Sequence, residues 1–132
     1  MSLGNKKRIL VVDDSPAVLA KLSDDFAEDY DVVTAESGEE AVEILVNPVR
    51  GDVCFSNQFD LTITDLMMPG MSGFDLSDYV RKRNKANKFT PEILLTTEKV
   101  SKEEARKHGC AAYFSKTDKK RLISMAIILL SF

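Results

Sequence analysis

The chain has 132 residues, of which 44% are hydrophobic and 30% charged, and its formal net charge is −3. This length suits one domain with its own core, and the composition is that of a globular protein rather than a disordered one. The small excess of acid argues against direct nucleic-acid binding by this domain. We expect a single domain over residues 1–132, with residues 1–6 as a flexible N-terminus.

The two ends of the chain contain no targeting or membrane signal. Residues 1–5 are short and polar, unlike a secretion signal. The apolar segment Leu122–Phe132 is only 11 residues long, whereas a membrane span needs about 20. Cys54 and Cys110 lack metal-site spacing and are predicted to be free thiols. A cytoplasmic protein without a membrane partner is therefore expected.

Apolar runs of strand length alternate with segments of helical periodicity along the chain. The predicted strands are, in order, Arg8–Asp13, Asp31–Ala35, Leu61–Asp65, Glu92–Thr97 and Ala111–Ser115. The predicted helices begin after Ser15, after Ser37, at Gly73, after Ser101 and at Asp118. The second and fourth have the capping-box pattern Ser-x-x-Glu. Five successive βα units predict an α/β fold with a doubly wound parallel sheet.

Residues 47–59 form a connection between the second helix and third strand that is longer than usual. Surface loops accept extra length at a small entropic cost. A tolerated surface insertion is therefore favoured over a partner-binding segment.

Acidic side chains follow two of the predicted strands. Asp13 and Asp14 follow the first strand, and Asp65 ends the third. The carboxyl ends of parallel strands share one edge of the sheet, which is where ligands bind in open α/β sheets. Three clustered carboxylates repel one another unless a cation lies among them. The pattern therefore predicts a site for a hard divalent metal and for chemistry on phosphate.

Four segments together resemble the receiver domain of two-component response regulators, over about residues 7–131. They are Ile9-Leu10-Val11-Val12-Asp13-Asp14-Ser15, Thr64-Asp65-Leu66-Met67-Met68-Pro69-Gly70-Met71-Ser72-Gly73, Leu95-Thr96-Thr97-Glu98 and Tyr113-Phe114-Ser115-Lys116. Taken singly, each piece is also common cap, turn or surface chemistry. The resemblance implies a flavodoxin-like sheet with strand order 2-1-3-4-5.

The resemblance also implies the site chemistry. Asp65 would accept a phosphoryl group from a histidine kinase or a phosphotransfer protein. Asp14 and Asp65 would bind Mg²⁺ directly, Asp13 would hold a bound water, and the Met67 carbonyl would be a further ligand. Such a protein is not an enzyme beyond assisting its own phosphorylation and dephosphorylation.

Three residues at the ends of the last two strands have implied roles in catalysis and switching. The Lys116 ammonium and the Thr96 hydroxyl would contact the phosphoryl oxygens. Thr96 and Tyr113 would then move together and change the surface formed by the fourth helix, fifth strand and fifth helix. Thr117 departs from the family pattern, which usually has proline after this lysine, so the aim of Lys116 is open.

The fifth helix is almost wholly apolar at its end, from Met125 to Leu130. Dimerisation through the surface of the fourth helix, fifth strand and fifth helix, or truncation of a longer chain, is favoured over simple core packing. The main functional alternative is a receiver-like interaction module that is never phosphorylated. The cognate kinase, the regulated output, any following output domain and the oligomeric state are not determined by the sequence.

Overall fold

The computed structural model describes residues 6–46, 58–97 and 99–131. Its five strands form one parallel sheet in the order β2-β1-β3-β4-β5, which confirms the predicted fold. Along the chain the elements are β1 Arg8–Val12, α1 Pro16–Phe26, β2 Asp31–Ala35, α2 Gly38–Val46, β3 Leu61–Asp65, α3 Gly73–Arg83, a 3₁₀ turn Lys85–Asn87, β4 Glu92–Thr96, α4 Lys102–Lys107, β5 Ala112–Ser115 and α5 Lys119–Leu130.

Element boundaries differ from the predicted ones by a single residue. The predicted β1 and β4 extended one residue too far, because Asp13 and Thr97 lie just past the last ladder positions of those strands. The predicted β5 began one residue too early, at Ala111. Hydrophobic pattern locates an element better than its ends, where caps and turns decide.

Side-chain caps fix where the helices begin. Ser15 accepts a hydrogen bond from Val18 N, and Pro16 occupies the first turn of α1. A full capping box, absent from the predictions, joins Ser72 and Asp75 at the start of α3. The box predicted at Ser37 is altered, because the Glu40 carboxylate accepts from Glu36 N rather than from Ser37 N.

The sheet separates two apolar cores. On one side the odd-numbered residues of β1 pack against α1 and α5. On the other side its even-numbered residues pack against α2 and α3. The central strands β3 and β4 are buried at every position, as expected for a parallel sheet covered on both faces.

Helix α5 is divided between core and solvent. Leu122, Ala126 and Leu130 are buried in the α1 and α5 core. Ile127 and Ile128, in contrast, are 47% and 53% exposed. Part of the apolar tail therefore belongs to the core, and part forms a surface open to another molecule.

The long 47–59 connection lies mostly outside the described residues, as does Cys54. Its end is described: Phe59 is buried in the α2 and α3 core. Asn87 accepts a hydrogen bond from Phe59 N, and Asn84 in turn caps Asn87. The connection therefore ends as part of the core, which a simple surface insertion does not predict.

Glu92 is a buried acid at the start of β4, at the sheet edge opposite the strand ends that carry the acids. The Cys110 thiol donates to its carboxylate over 3.6 Å and also lies 3.8 Å from the Ser77 hydroxyl. Burial raises the pKa of Glu92 from 4.5 to about 8, with a smaller opposing effect of the Cys110 contact. Burial likewise raises the pKa of Cys110 to about 12. Cys110 is a free cysteine, as predicted.

Replacing Glu92 with Gln should stabilise the fold at high pH. Between pH 4.5 and about 8 the folded state binds more protons at Glu92 than the unfolded state does, so stability falls as pH rises through this window. Glu92→Gln removes that loss, which is on the order of 2–4 kcal/mol. Urea unfolding at pH 5.5 and 8.5 measures it. The control is Glu103→Gln on the exposed face of α4; an equal effect of both variants would contradict the assignment.

Candidate functional site

Three acidic side chains meet at the carboxyl edge of the sheet. Asp13 and Asp14 follow β1, and Asp65 is the last residue of the neighbouring strand β3. One carboxylate oxygen from each lies within 4.8 Å of the others. Asp13 and Asp65 are buried, whereas Asp14 is exposed. The cluster therefore has two fixed acids at its base and one acid at its mouth.

Backbone contacts hold Asp13 in place. Its N–H donates to Ala35 O over 3.1 Å, which extends the pairing of β1 with β2 by one residue. Its Oδ1 accepts from Ser15 N over 2.9 Å. The other oxygen, Oδ2, is buried and has no hydrogen-bond partner among the described residues.

Lys116 supplies a positive charge from the turn after β5. Its Nζ donates to Asp65 Oδ2 over 3.1 Å and lies 3.0 Å from Asp13 Oδ2. The second contact is an ion pair without the direction of a hydrogen bond, so it leaves the buried oxygen of Asp13 only partly satisfied. Lys116 reaches the acids although Thr117 follows it, and the described peptide bonds are all trans.

The negative charges of the site exceed the positive charge that Lys116 supplies. Burial raises the pKa of the Asp65 carboxyl; the hydrogen bond from Lys116 opposes this, and the charges of Asp13 and Asp14 add to it. Burial alone lowers the pKa of Lys116, but its contacts with Asp13 and Asp65 outweigh burial and leave that pKa raised. One ammonium thus faces three carboxyl groups.

The donor set fits a hard divalent cation. All three side chains offer carboxylate oxygens, the ligands that Mg²⁺ and Ca²⁺ prefer. The buried Oδ2 of Asp13, which pairs with Lys116 but accepts no hydrogen bond from the described residues, gives an ion, or a water bound to it, a buried partner. Exposed Asp14 at the mouth leaves one side open to water, in keeping with the several waters that Mg²⁺ retains.

The loop from β3 to α3 is tightly held against the site. Gly70 has a φ of +78°, which favours glycine. At Gly73 a Cβ would clash with the backbone oxygen of Asp65, so only glycine lets α3 begin this close to the end of β3. The same loop carries Met67, whose side chain is 60% exposed.

Glu39 is a residue of this region that the sequence did not indicate. Its Oε2 accepts a hydrogen bond from Met71 N over 3.1 Å and would collide with any side chain at Gly70. The first turn of α2 thereby anchors the β3–α3 loop. The Ser-x-x-Glu pattern at Ser37 predicts only a helix cap, and no local spacing indicates a contact with Met71, 32 residues further along the chain.

The two residues predicted to switch lie on neighbouring strands. Thr96 is the buried last residue of β4, and its carbonyl accepts from Lys116 N over 3.3 Å. Tyr113 is half-buried on β5, in register with Leu94. It lines a groove of about 520 Å³ between α4, β5 and α5, together with Ala105 and Arg121. A backbone hydrogen bond thus joins Lys116, which contacts the acids, to Thr96 on β4. Strand β4 is the neighbour of β5, which lines the groove.

Replacing Asp14 with Ala should remove the stabilisation of the fold by Mg²⁺. A ligand that binds only the folded state increases the free energy of unfolding, by about 2.7 kcal/mol when its concentration is a hundredfold above Kd, and the melting temperature rises with it. Asp14 is exposed at the mouth of the cluster, so its loss should weaken ion binding without disturbing the core. Thermal melting over a series of Mg²⁺ concentrations, compared with melting in EDTA, measures the effect. Asp24→Ala, on the exposed face of α1, is the control; an unchanged Mg²⁺ response in Asp14→Ala would contradict the site.

Comparison with known proteins shows a consistent set of relatives. A family model described as the response regulator receiver domain matches residues 9–127. A chemotaxis protein of Vibrio cholerae, CheY4, superposes with a TM-score of 0.77 at 29% identity, covering 94% of this chain and 98% of that one. The response regulator TrrA of Thermotoga maritima, solved with Mg²⁺ and beryllium fluoride, gives 0.70 at 31% identity, covering 94% and 98%.

Curated relatives are longer than this chain. A probable cyclic di-GMP phosphodiesterase of Vibrio cholerae is 35% identical over 97 residues, which are 73% of this chain and 20% of that protein. The transcriptional regulatory protein ResD of Bacillus subtilis is 29% identical over 130 residues, or 96% and 49%. The chain therefore spans half or less of the length of several curated relatives. No helix in the described part of the chain is long and apolar enough to cross a membrane.

Proposed function

The chain belongs to the family of response regulator receiver domains, and we propose that it works by accepting a phosphoryl group on Asp65. The donor is a phosphohistidine of a sensor histidine kinase or of a phosphotransfer protein. An Asp65 oxygen attacks phosphorus, the bond to the histidine nitrogen breaks, and the imidazole leaves. The observation that carries the proposal is the meeting of Asp13, Asp14 and Asp65 with Lys116 at one sheet edge.

The charges of the site support this chemistry. A carboxylate is a weak nucleophile, so catalysis depends on alignment and on neutralising the charge of the phosphoryl group. Mg²⁺ supplies positive charge for the phosphoryl oxygens when it is bound. Asp14 and Asp65 would be its direct ligands, Asp13 would hold one of its waters, and the Met67 carbonyl would be a further ligand.

Lys116 and Thr96 complete the proposed site. The Lys116 ammonium already contacts Asp65 Oδ2, so it lies where a phosphoryl group on that oxygen would need a counter-charge. The Thr96 hydroxyl is proposed to donate to another phosphoryl oxygen. Fixed donors that meet developing charge are usually the largest catalytic contribution in such sites.

The signal is proposed to leave through the face formed by α4, β5 and α5. When Thr96 moves toward the phosphoryl group, it vacates space that Tyr113 can fill by turning inward. Tyr113 lines the groove between these elements, so its rotation would change that groove directly. The exposed Ile127 and Ile128 of α5 add apolar area for a partner or for a second copy.

The remaining expectations follow from membership in this family and are proposals of the same kind. Residues 1–132 form one receiver domain that acts in the cytoplasm and contacts no nucleic acid itself. The domain assists its own phosphorylation and dephosphorylation but turns over no other substrate. A phosphorylation-independent interaction module is the alternative, although such a module has no need for the acid and lysine cluster.

Acetyl phosphate with Mg²⁺ tests the proposal most simply. The expected result is a mass increase of one phosphoryl group, which is lost in alkali or on heating in acid, as an acyl phosphate is. Omitting Mg²⁺ by adding EDTA should prevent the increase. A protein that binds Mg²⁺ but gains no mass from acetyl phosphate, or from a panel of phosphorylated kinases, would be an interaction module.

A further inference from the structure

Charge is distributed unevenly between the two lateral edges of the sheet, which are formed by the edge strands β2 and β5. Residues 14–46 contain ten acidic residues and one lysine, whereas residues 81–121 contain thirteen of the eighteen lysines and arginines and five acids. The first range builds α1, β2 and α2 around one edge strand. The second range runs from the end of α3 to α5, around the other edge strand, β5. The molecule is therefore acidic at one edge and basic at the other.

The basic edge has a protruding aromatic ring. Phe89, in the loop before β4, is 89% exposed, and the Lys88 ammonium lies 5.6 Å from its ring centroid. Phe89 borders a groove of about 580 Å³ that is lined by Arg81, Lys82, Lys88 and Lys107, and by one acid, Asp78, which contacts His108. We call Phe89 and these four cations the basic knob.

The loop that carries Phe89 is held rigidly. Thr90 Oγ1 donates to Phe59 O over 2.9 Å, and Thr90 N donates to Asn87 O over 3.0 Å. Asn87 itself is buried and hydrogen-bonded to Asn84. The loop therefore holds the Phe89 ring in water, although burying an aromatic ring would stabilise the fold.

Helix capping explains part of this charge but not all of it. Arg81, Lys82 and Lys107 lie in the last turns of α3 and α4, where cations stabilise a helix end. Lys88 and Phe89 lie outside any α-helix. Among these residues, an exposed aromatic ring such as Phe89 and an arginine such as Arg81 are types that are enriched at protein interfaces.

The acidic edge contains a pocket of matching character. A depression of about 370 Å³ lies between α1, the end of β2 and the start of α2. Pro16, Leu19 and Ala20 form its apolar side, and Glu36 and Glu40 stand at its rim. We call this depression the acidic pocket.

From these two surfaces we propose that copies of this chain associate head to tail, with the basic knob of one copy seated in the acidic pocket of the next. Charge complementarity selects a second copy, because one chain provides both halves of the contact. The pocket lies beside the edge strand β2, whereas the knob lies at the ends of α3 and α4 and before β4, so two copies do not pair reciprocally through them. Each contact leaves one knob and one pocket free, and the association is open-ended.

Salt and concentration provide the first test. Sedimentation velocity of the wild-type chain should show assemblies that grow with protein concentration in 25 mM NaCl, at a Debye length of about 20 Å, and dissociate in 500 mM NaCl, where it is about 4 Å. We expect the apparent Kd to rise at least about tenfold between these conditions. At low salt, Phe89→Ala should also raise the apparent Kd for association by at least about tenfold relative to the wild-type chain. A wild-type chain that stays monomeric at low salt overturns the proposal.

Two complementary variants provide the sharper test. Lys82→Glu with Lys107→Glu disables the knob and leaves the pocket intact. Ala20→Lys with Glu36→Lys, at two exposed residues that line the pocket, disables the pocket and leaves the knob intact. Each variant alone should be monomeric, and an equimolar mixture should form a discrete heterodimer and nothing larger.

The mixture separates this contact from other forms of association. If both variants stay monomeric when mixed, the knob and pocket do not bind each other and the proposal is wrong. If either variant alone still assembles, another surface, such as the apolar face of α5, drives association, and the proposal is likewise wrong. Far-UV circular dichroism of each variant checks that the fold is intact, and Phe89→Ala, which reverses no charge, provides an independent second variant.

Discussion

Asp65→Asn is expected to abolish phosphorylation while leaving the fold intact. An amide at this position has nearly the same shape but lacks the oxygen nucleophile. Asp65 is buried and the pKa of its carboxyl is raised chiefly by burial, so the neutral amide should fit without a loss of stability. The Lys116 ammonium, which contacts Asp65 Oδ2 and Asp13 Oδ2, can still pair with Asp13.

Intact-mass spectrometry after incubation with acetyl phosphate and Mg²⁺ measures this effect. The wild-type chain should gain one phosphoryl group, and Asp65→Asn should gain none. Asp29→Asn, in the exposed turn after α1, is a matched control for the same atomic change and should behave as wild type. Phosphate retained by the Asp65 variant would move the nucleophile elsewhere in the cluster.

Lys116→Met is expected to separate metal binding from phosphoryl transfer. Removing the ammonium leaves the acids of the cluster, Asp13, Asp14 and Asp65, without a counter-charge from this side chain. The affinity for Mg²⁺ should therefore rise, because an ion no longer competes with Lys116 for these oxygens. Phosphorylation should nevertheless slow by about 100-fold, because a fixed donor to the phosphoryl group is lost.

The same variant should need Mg²⁺ for its stability. Truncating one partner of a buried ion pair leaves the other charges uncompensated. Because the Lys116 side chain is 21% exposed, we expect a smaller loss than for a fully buried pair, about 1–3 kcal/mol without Mg²⁺. Isothermal titration, phosphorylation rates and urea unfolding measure the three effects. Lys120→Met, at an exposed position of α5, is the control; parallel losses of affinity and rate would contradict this division of roles.

The strands and helices could be predicted from hydrophobic periodicity and capping residues, because the signals for each element lie within its own segment of the sequence. The apolar runs of β1, β3 and β4 are buried at nearly every position, and such runs are strong strand signals. Ser15, Pro16 and Ser101 mark helix starts through their own side chains. The 3₁₀ turn Lys85–Asn87 was missed because its capping side chain, Asn84, resembles an ordinary polar surface residue.

The site was predictable where it depends on topology. Parallel strands bring their carboxyl ends to one edge, so Asp13 and Asp65 had to lie close together once β1 and β3 were neighbours. Glu39 and Phe59 could not be foreseen. Glu39 acts on a loop from another βα unit, and Phe59 joins the core from the end of a long connection. Contacts between distant segments depend on packing rather than on any local pattern.

Charge at the sheet edges adds a separate consequence. The acidic pocket includes Pro16 and Glu36, which lie near the sheet edge where Asp13 and Asp14 emerge. A second copy seated there would lie beside the proposed phosphorylation site. Head-to-tail association and phosphoryl transfer would then compete for access to the carboxyl ends of the strands, where the acids lie.

The central claim is tested most directly by locating the phosphoryl group within the chain. Borohydride reduction of the protein, phosphorylated with acetyl phosphate and Mg²⁺, converts the aspartyl phosphate to homoserine, and peptide sequencing by mass spectrometry gives its position. Our account predicts homoserine at position 65 and at no other aspartate. Homoserine at position 13 or 14, or no reduced residue in a protein that has bound Mg²⁺, would contradict it.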